Sequence, residues 1–218
     1  MNTGLFITLE GPEGAGKTTQ TARLASWLGD LGLAVHTTRE PGAGKIGAQI
    51  RQVLLNPENV GLNPLTEALL MAADRAQHVA DELRPALLQG QMVICDRYID
   101  SHIAYQGYGR GLSVAWLQDL NKTATDGLLP DLTLLLQLPV QVGLARTKKR
   151  GDADRMEQEQ LAFHQRLHDG YAAIAAAEPR RVRVINAAAD EDAVQEQIRA
   201  AVGDVLLRKG LVAQDALR

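Results

Sequence analysis

Cysteine is almost absent from the chain. Cys95 stands alone, so an intrachain disulfide is impossible and a thiolate zinc site of finger-like spacing is excluded. It lies in the apolar run Met92-Val93-Ile94-Cys95, where a packed, inert thiol is expected. Aromatic residues are few as well: two Phe, two Trp and four Tyr among 218 residues. Aliphatic side chains and Ala must therefore fill most of the interior. Neither sign of charge is in excess, since 23 Lys and Arg oppose 26 Asp and Glu for a net charge of −3. A protein that lives on nucleic-acid backbone needs a basic surface, so no nucleic-acid partner is expected. Long apolar runs are missing too. The best of them, Leu128 to Val140, is broken by Pro130, Asp131, Gln137 and Pro139 and is too short to cross a bilayer. The N-terminal residues lack the basic start and apolar stretch of a secretion signal. No membrane partner is expected, and the expected setting is the cytoplasm.

What the chain does have is alternation. Short apolar runs at residues 5–9, 34–38, 92–95, 132–138 and 182–186 read as strands. Between them, helical spacing covers residues 17–31, 46–55, 65–88 with a break near Pro85, 114–125, 140–150, 155–177 and 192–207. Strands alternating with helices predict a parallel sheet with right-handed crossovers, covered on both faces. Ligands of such sheets sit at the carboxyl ends of strands. The polar clusters fall there: Gly11 onward, Arg39-Glu40-Pro41, and Asp96-Arg97. Residues 1–210 are expected to form a single domain, with 211–218 a loosely ordered tail.

Gly11-Pro12-Glu13-Gly14-Ala15-Gly16-Lys17-Thr18 matches G-x-x-x-x-G-K-[ST] and lies between an expected strand and an expected helix, the context the motif requires. Glycines let the backbone wrap a phosphate with its N–H groups pointing inward. The helix N-terminus adds partial positive charge. Lys17 can reach the β- and γ-phosphates of ATP, and the Thr18 hydroxyl can ligate Mg²⁺. Met92-Val93-Ile94-Cys95-Asp96 is a hydrophobic strand ending in a carboxylate, which places Asp96 with Thr18 as a metal ligand. The predicted fold is thus a P-loop NTPase three-layer sandwich, with a five-stranded parallel sheet and a small mobile lid. The only N-K pair, Asn121-Lys122, lacks the Asp of a guanine-reading N-K-x-D. A mechanical ATPase needs more domains than 218 residues supply. A small kinase is the class that remains.

Thr38-Arg39-Glu40-Pro41-Gly42, Asp96-Arg97-Tyr98, Ala104-Tyr105-Gln106-Gly107 and Asp154-Arg155-Met156-Glu157 follow one another as in bacterial thymidylate kinases, and the chain resembles that family from about Leu5 to Asn186. The resemblance implies phosphorylation of dTMP to dTDP with ATP and Mg²⁺ by a homodimer. It assigns Arg97 to the acceptor phosphate, a dianion that arginines grip bidentately. Arg39 either helps hold the acceptor or orients its loop through Glu40. Arg75 matches an arginine on the thymine carbonyl, Gln106 an amide contact in the same pocket, and Tyr105 a tyrosine that crowds the sugar 2′ position. Glu13 and Glu157 match carboxylates near the acceptor. The basic run Arg146 to Arg155, broken by Gly151, is read as a lid of residues 146–157. Ala15 stands where some members place a catalytic arginine, so the lid is expected to supply it. Arg150 is the first candidate, with Arg146 and Lys148 behind it, while Arg155 braces the lid.

The departures from the family pattern all touch the acceptor side. Met71 replaces the usual phenylalanine on the thymine ring and specifies less sharply. His102 stands where Ser, Thr or Asn is usual, and its imidazole is expected to titrate near neutral pH. Ala43-Gly44-Lys45 replaces the usual Gly then Thr or Ser. Two other functions stay open at this point. One is a kinase for a different nucleoside monophosphate or nucleoside; the other is a non-catalytic ATP-binding switch, which would not need Arg150.

Overall fold

The computed structural model describes residues 4–148 and 154–217. Five parallel strands form one sheet: β1 (Leu5–Glu10), β2 (Val35–Arg39), β3 (Met92–Asp96), β4 (Leu132–Gln137) and β5 (Val182–Asn186), in the order β2-β3-β1-β4-β5. The helices are α1 (Lys17–Asp30), α2 (Gly44–Leu55), α3 (Pro64–His78), α4 (Arg84–Leu88), α5 (Ile99–His102), α6 (Val114–Thr125), α7 (Val140–Lys148), α8 (Leu161–Ala177) and α9 (Glu191–Arg208). This is the expected P-loop α/β architecture.

Central strand β1 is buried throughout. Its two-residue period divides the interior. Leu5, Ile7 and Leu9 face a layer built by Leu24 and Leu28 of α1 and Ile198, Val202 and Leu206 of α9. Phe6 faces the other layer with Val93, Cys95, Tyr98 and Leu83. Each fully buried Leu or Ile contributes about 1.5–3 kcal/mol. The Cys95 thiol is fully buried, which pushes its pKa well above the ordinary value.

Several elements differ from the sequence expectation. The stretch 65–88 is not broken at Pro85. Instead α3 runs into a π-helical turn, Val79–Leu83, and then α4. Pro85 has no N–H to give to the carbonyl of residue 81, and the widened turn absorbs that loss. The helix expected from residue 155 starts only at Leu161, because Asp154 turns the chain by accepting from the backbone N–H of Met156 at 2.9 Å and Glu157 at 3.0 Å. A helical stretch without expected counterpart follows β3: α5 continues into a second π-helical turn, Ile103–Gly109. Of the apolar residues that give 46–55 its helical spacing, Leu54 is buried but Ile46 and Val53 are 51% and 44% exposed. Leu211 and Val212 pack against the central core cluster.

Candidate active site

Gly11, Gly14 and Gly16 all have positive φ, at 136°, 72° and 87°. Only glycine adopts such a run without strain. A side chain at Gly11 would strike the Leu136 carbonyl oxygen. The loop delivers the chain to Gly16, which begins α1 with no side-chain cap. The first N–H groups of α1 are therefore left for an anion. Pro12 and Ala15 complete the loop. Gly143 of α7 packs onto its outer side, where a Cβ would lie 2.7 Å from the Glu13 carbonyl oxygen.

Lys17 begins α1 directly after the loop. It is only 7% exposed, and its ammonium donates to the carbonyl oxygens of Gly11 at 3.0 Å and Pro12 at 2.9 Å. Burial, with Arg97 nearby, lowers its pKa to about 8. The Thr18 hydroxyl donates to Asp96 Oδ2 at 3.1 Å. One hydroxyl beside one carboxylate, next to a phosphate cradle, suits Mg²⁺, which takes few protein ligands and keeps phosphate and water for the rest. Among the described residues no group of three or more His, Cys, Asp and Glu could hold a metal by itself. Arg146 Nη1 donates to the carbonyl oxygens of Ala187 at 3.0 Å and Gly14 at 3.3 Å, joining α7 to the loop and to the chain after β5.

A cavity of about 520 Å³ opens from this loop. Its lining includes Glu13, Lys17, Thr18, Arg39, Met71, Arg75, Asp96, Arg97, His102, Tyr105, Gln106, Arg146 and Glu157, so the sequence-predicted residues converge on one space. Arg150 lies outside the described residues. Arg97 sits at the carboxyl end of β3 with φ 72°. That left-handed backbone costs about 1–3 kcal/mol in a non-glycine residue. It turns the guanidinium back to Gly11 O at 3.0 Å, Ser101 Oγ at 3.2 Å and Glu13 Oε1 at 3.3 Å, over the Tyr105 ring at 5.0 Å. Tyr105 donates its hydroxyl to Glu13. Burial opposes ionisation of Glu13, but Arg97, Lys17 and the Tyr105 hydroxyl hold its pKa below the usual carboxylate value.

Arg51 of α2 also lines the cavity and was missed by the sequence reading. Its Nη1 donates to the Pro41 carbonyl oxygen at 2.7 Å. Burial, then the nearby charge of Arg39, lowers its pKa from the ordinary value. The Arg39 side chain makes no hydrogen bond or ion pair among the described residues, and it does not touch Glu40. Glu40 instead binds Arg75 at 2.7 Å and His78 at 2.9 Å.

At the far end of the cavity, Arg75 is held on several sides. Nη1 donates to His102 Nδ1 at 2.9 Å and Asn121 Oδ1 at 2.8 Å, and Nη2 to the Tyr98 carbonyl oxygen at 3.1 Å. His102 does not titrate near neutral pH: burial, and then Arg75, lowers its pKa to about 3. Gln106 Nε2 donates to the buried Glu67. Arg155, which the sequence reading took as a brace, donates to Glu67 Oε2 at 2.6 Å and to the Leu54 carbonyl oxygen at 2.7 Å. Glu157 reaches back to the Asp154 N–H at 3.3 Å.

A donor phosphate seated in the glycine loop would face Arg97, with Arg39 and Arg51 beyond it. Guanidinium groups there suit an acceptor that already carries phosphate. Fold and cleft together define a P-loop nucleotide kinase. The comparisons with known proteins narrow the class. The chain belongs to the thymidylate kinase family, whose model matches residues 9–198. It is 52% identical over 204 residues to the thymidylate kinase of Deinococcus radiodurans, covering 94% of this chain and 98% of the relative. The thymidylate kinase of Solidesulfovibrio magneticus is 49% identical, with 93% and 100% covered. The crystal structure of thymidylate kinase from Ehrlichia chaffeensis superposes with a TM-score of 0.75 at 34% identity, with 92% and 99% covered. The family makes the protein an ATP-dependent nucleoside monophosphate kinase.

Proposed function

We propose that the protein transfers the γ-phosphoryl group of ATP to dTMP, forming dTDP for dTTP synthesis. The observation that carries the reading is the shared cavity: Lys17 and the Thr18–Asp96 pair border the same space as Arg39, Arg51 and Arg97. In this reading the loop Gly11 to Thr18 and Arg146 bind ATP, and Lys17 and Arg97 neutralise charge on the transferring group. Thr18 and Asp96 would hold Mg²⁺, which supplies further charge neutralisation. Arg39, Arg51 and Arg97 hold the acceptor phosphate. Met71, Arg75, His102, Tyr105 and Gln106 border the nucleoside. Glu13 and Glu157 act near the acceptor. The lid of residues 146–157 and its Arg150 belong to the same proposal, and Arg150→Ala is expected to lower kcat more than it raises either KM.

The test is ADP release from ATP and Mg²⁺ with dTMP, dUMP, dCMP and dGMP in turn. Strongest turnover with dTMP is expected. Another preferred monophosphate moves the substrate, and no turnover with any of them favours the nucleotide switch. A homodimer is also proposed. Ile46 and Val53 on α2 and Leu65 and Leu69 on α3, two helices packed together, are 44–51% exposed. Apolar side chains left in water on adjoining helices suit a partner copy, and sedimentation velocity checks it. No helix among the described residues is long and apolar enough to cross a membrane. A cytoplasmic setting, with the nucleotide pools, completes the proposal.

A further inference from the structure

Glu67 and Gln106 form a buried pair at the wall of the acceptor cavity. Both side chains are fully buried. Glu67 Oε1 accepts from Gln106 Nε2 at 2.8 Å and from Arg110 Nε at 3.1 Å. Glu67 Oε2 accepts from Arg155 Nη2 at 2.6 Å and from Arg110 Nη2 at 3.2 Å. Burial opposes ionisation of Glu67, but bonds from Arg110, Gln106 and Arg155 hold its pKa below the ordinary value. An ionised carboxylate only accepts. The amide of Gln106 must therefore turn its NH₂ group toward Glu67.

That constraint fixes the other half of the amide. Gln106 Oε1 is buried, has no partner, and belongs to a residue lining the cavity. Across the same cavity, Arg75 has spent its Nη1 and Nη2 groups on His102, Asn121, Tyr98 and Glu40. Its Nε–H is left buried and unpartnered. The wall thus holds one unmet acceptor and one unmet donor. Burying a polar group without a partner is unfavourable.

We propose that Glu67, without touching the acceptor, sets base selectivity by locking the Gln106 amide so that its carbonyl, and not its NH₂ group, is the group left for the base. The proposal rests on the dTMP kinase reading. Thymine and uracil carry a ring N–H beside a carbonyl, and the ring N–H suits the Gln106 carbonyl. Cytosine carries a bare ring nitrogen beside an amine, the reverse pattern. A free amide could turn over and serve cytosine, and the carboxylate prevents that. Glu67 is in this sense a positioning residue. A site built to hydrogen-bond one pattern rejects the mismatched analogue strongly.

The experiment compares kcat/KM for dTMP and dCMP in the wild type and in Glu67→Gln. A side-chain amide at position 67 can donate or accept, so the lock is released. The dTMP/dCMP ratio is expected to fall about tenfold or more, with KM for ATP unchanged. The ratio does not depend on how much of the preparation is folded, so a purely structural role for Glu67 leaves it unmoved. Glu67→Asp is the second variant. It keeps the charge beside Arg110 and Arg155 but draws the carboxylate back from Gln106, and it is expected to move the ratio the same way. An unchanged ratio in either active variant overturns the proposal. A wild type that does not prefer dTMP to dCMP overturns the dTMP reading itself, and this proposal with it.

Discussion

Arg75 of α3 and Glu40 at the end of β2 form an ion pair of 2.7 Å in which each side chain is only 2% exposed. It ties the loop of Arg39 and Pro41 to the far wall of the cavity. Removing one partner of such a pair leaves an uncompensated buried charge, at a cost of about 3–5 kcal/mol. Glu40→Gln is therefore expected to lose several kcal/mol in urea unfolding and to raise KM for dTMP more than KM for ATP. Unfolding at the wild-type midpoint would show that the pair contributes nothing.

Arg51 supplies a second prediction. Its charge faces the cavity beside Arg39, and a charge-assisted hydrogen bond is worth about 1.5–3 kcal/mol. Arg51→Ala is expected to raise KM for dTMP roughly tenfold to a hundredfold. KM for ATP should stay close to the wild-type value. An equal rise in both would mean that Arg51 shapes the whole cleft and not the acceptor end.

Lys17 predicts a pH dependence. Its folded pKa is lowered to about 8 by burial, against an ordinary value of about 10.4. Between these values the unfolded chain binds more protons than the folded one, so this group's contribution to stability rises with pH across that window. Phosphate binding needs the charged form, so kcat/KM for ATP is expected to fall as pH rises through about 8. A profile flat to pH 10 would contradict the burial argument. Lys17→Ala is expected to lower turnover by about 10²–10³-fold, read at saturating ATP.

Gly143 predicts an effect transmitted through packing. A Cβ there would lie 2.7 Å from the Glu13 carbonyl oxygen. Backbone on both sides leaves nothing flexible to give way. Gly143→Ala is expected to shift α7 away from the phosphate loop, weaken ATP binding several-fold and leave the acceptor KM nearly intact. Isothermal titration with ATP reads this directly, and unchanged affinity would show that α7 shifts without cost.

The strands and the phosphate loop were legible because their signals are local. Apolar runs, glycine spacing and Lys17-Thr18 need no knowledge of distant residues. Arg51 and Glu67 were not legible. Each is a polar residue in an amphipathic helix and reads as solvent-facing, but the partners of Glu67 arrive from Gln106, Arg110 and Arg155, far along the chain. The stretch Ile99–Gly109 was missed for a related reason. It carries no side-chain N-cap signal, and its shape depends on α8, where Phe163 leaves no room for a side chain at Gly109 and Gly170 makes space for Tyr108. Ile46 and Val53 misled in the opposite sense, since helical periodicity marks an apolar side without saying whether this chain covers it. The motif gave Lys17 its chemistry but not its burial. His102 was read by residue type, and only its burial, and then the neighbouring Arg75, reveals that its ring stays neutral.

Cys95 lies on β3, between β1 and β2, with its thiol sealed between the sheet and the layer of Leu83 and Tyr98. Such a group reacts only when the layer of Val79, Leu83 and Tyr98 that covers it opens. The native enzyme should therefore tolerate thiol-modifying reagents at full activity. Slow modification, followed by mass spectrometry, would count openings of that layer one molecule at a time. A single sulfur atom thus makes the protein a built-in clock for its own unfolding, with no label added and no residue replaced.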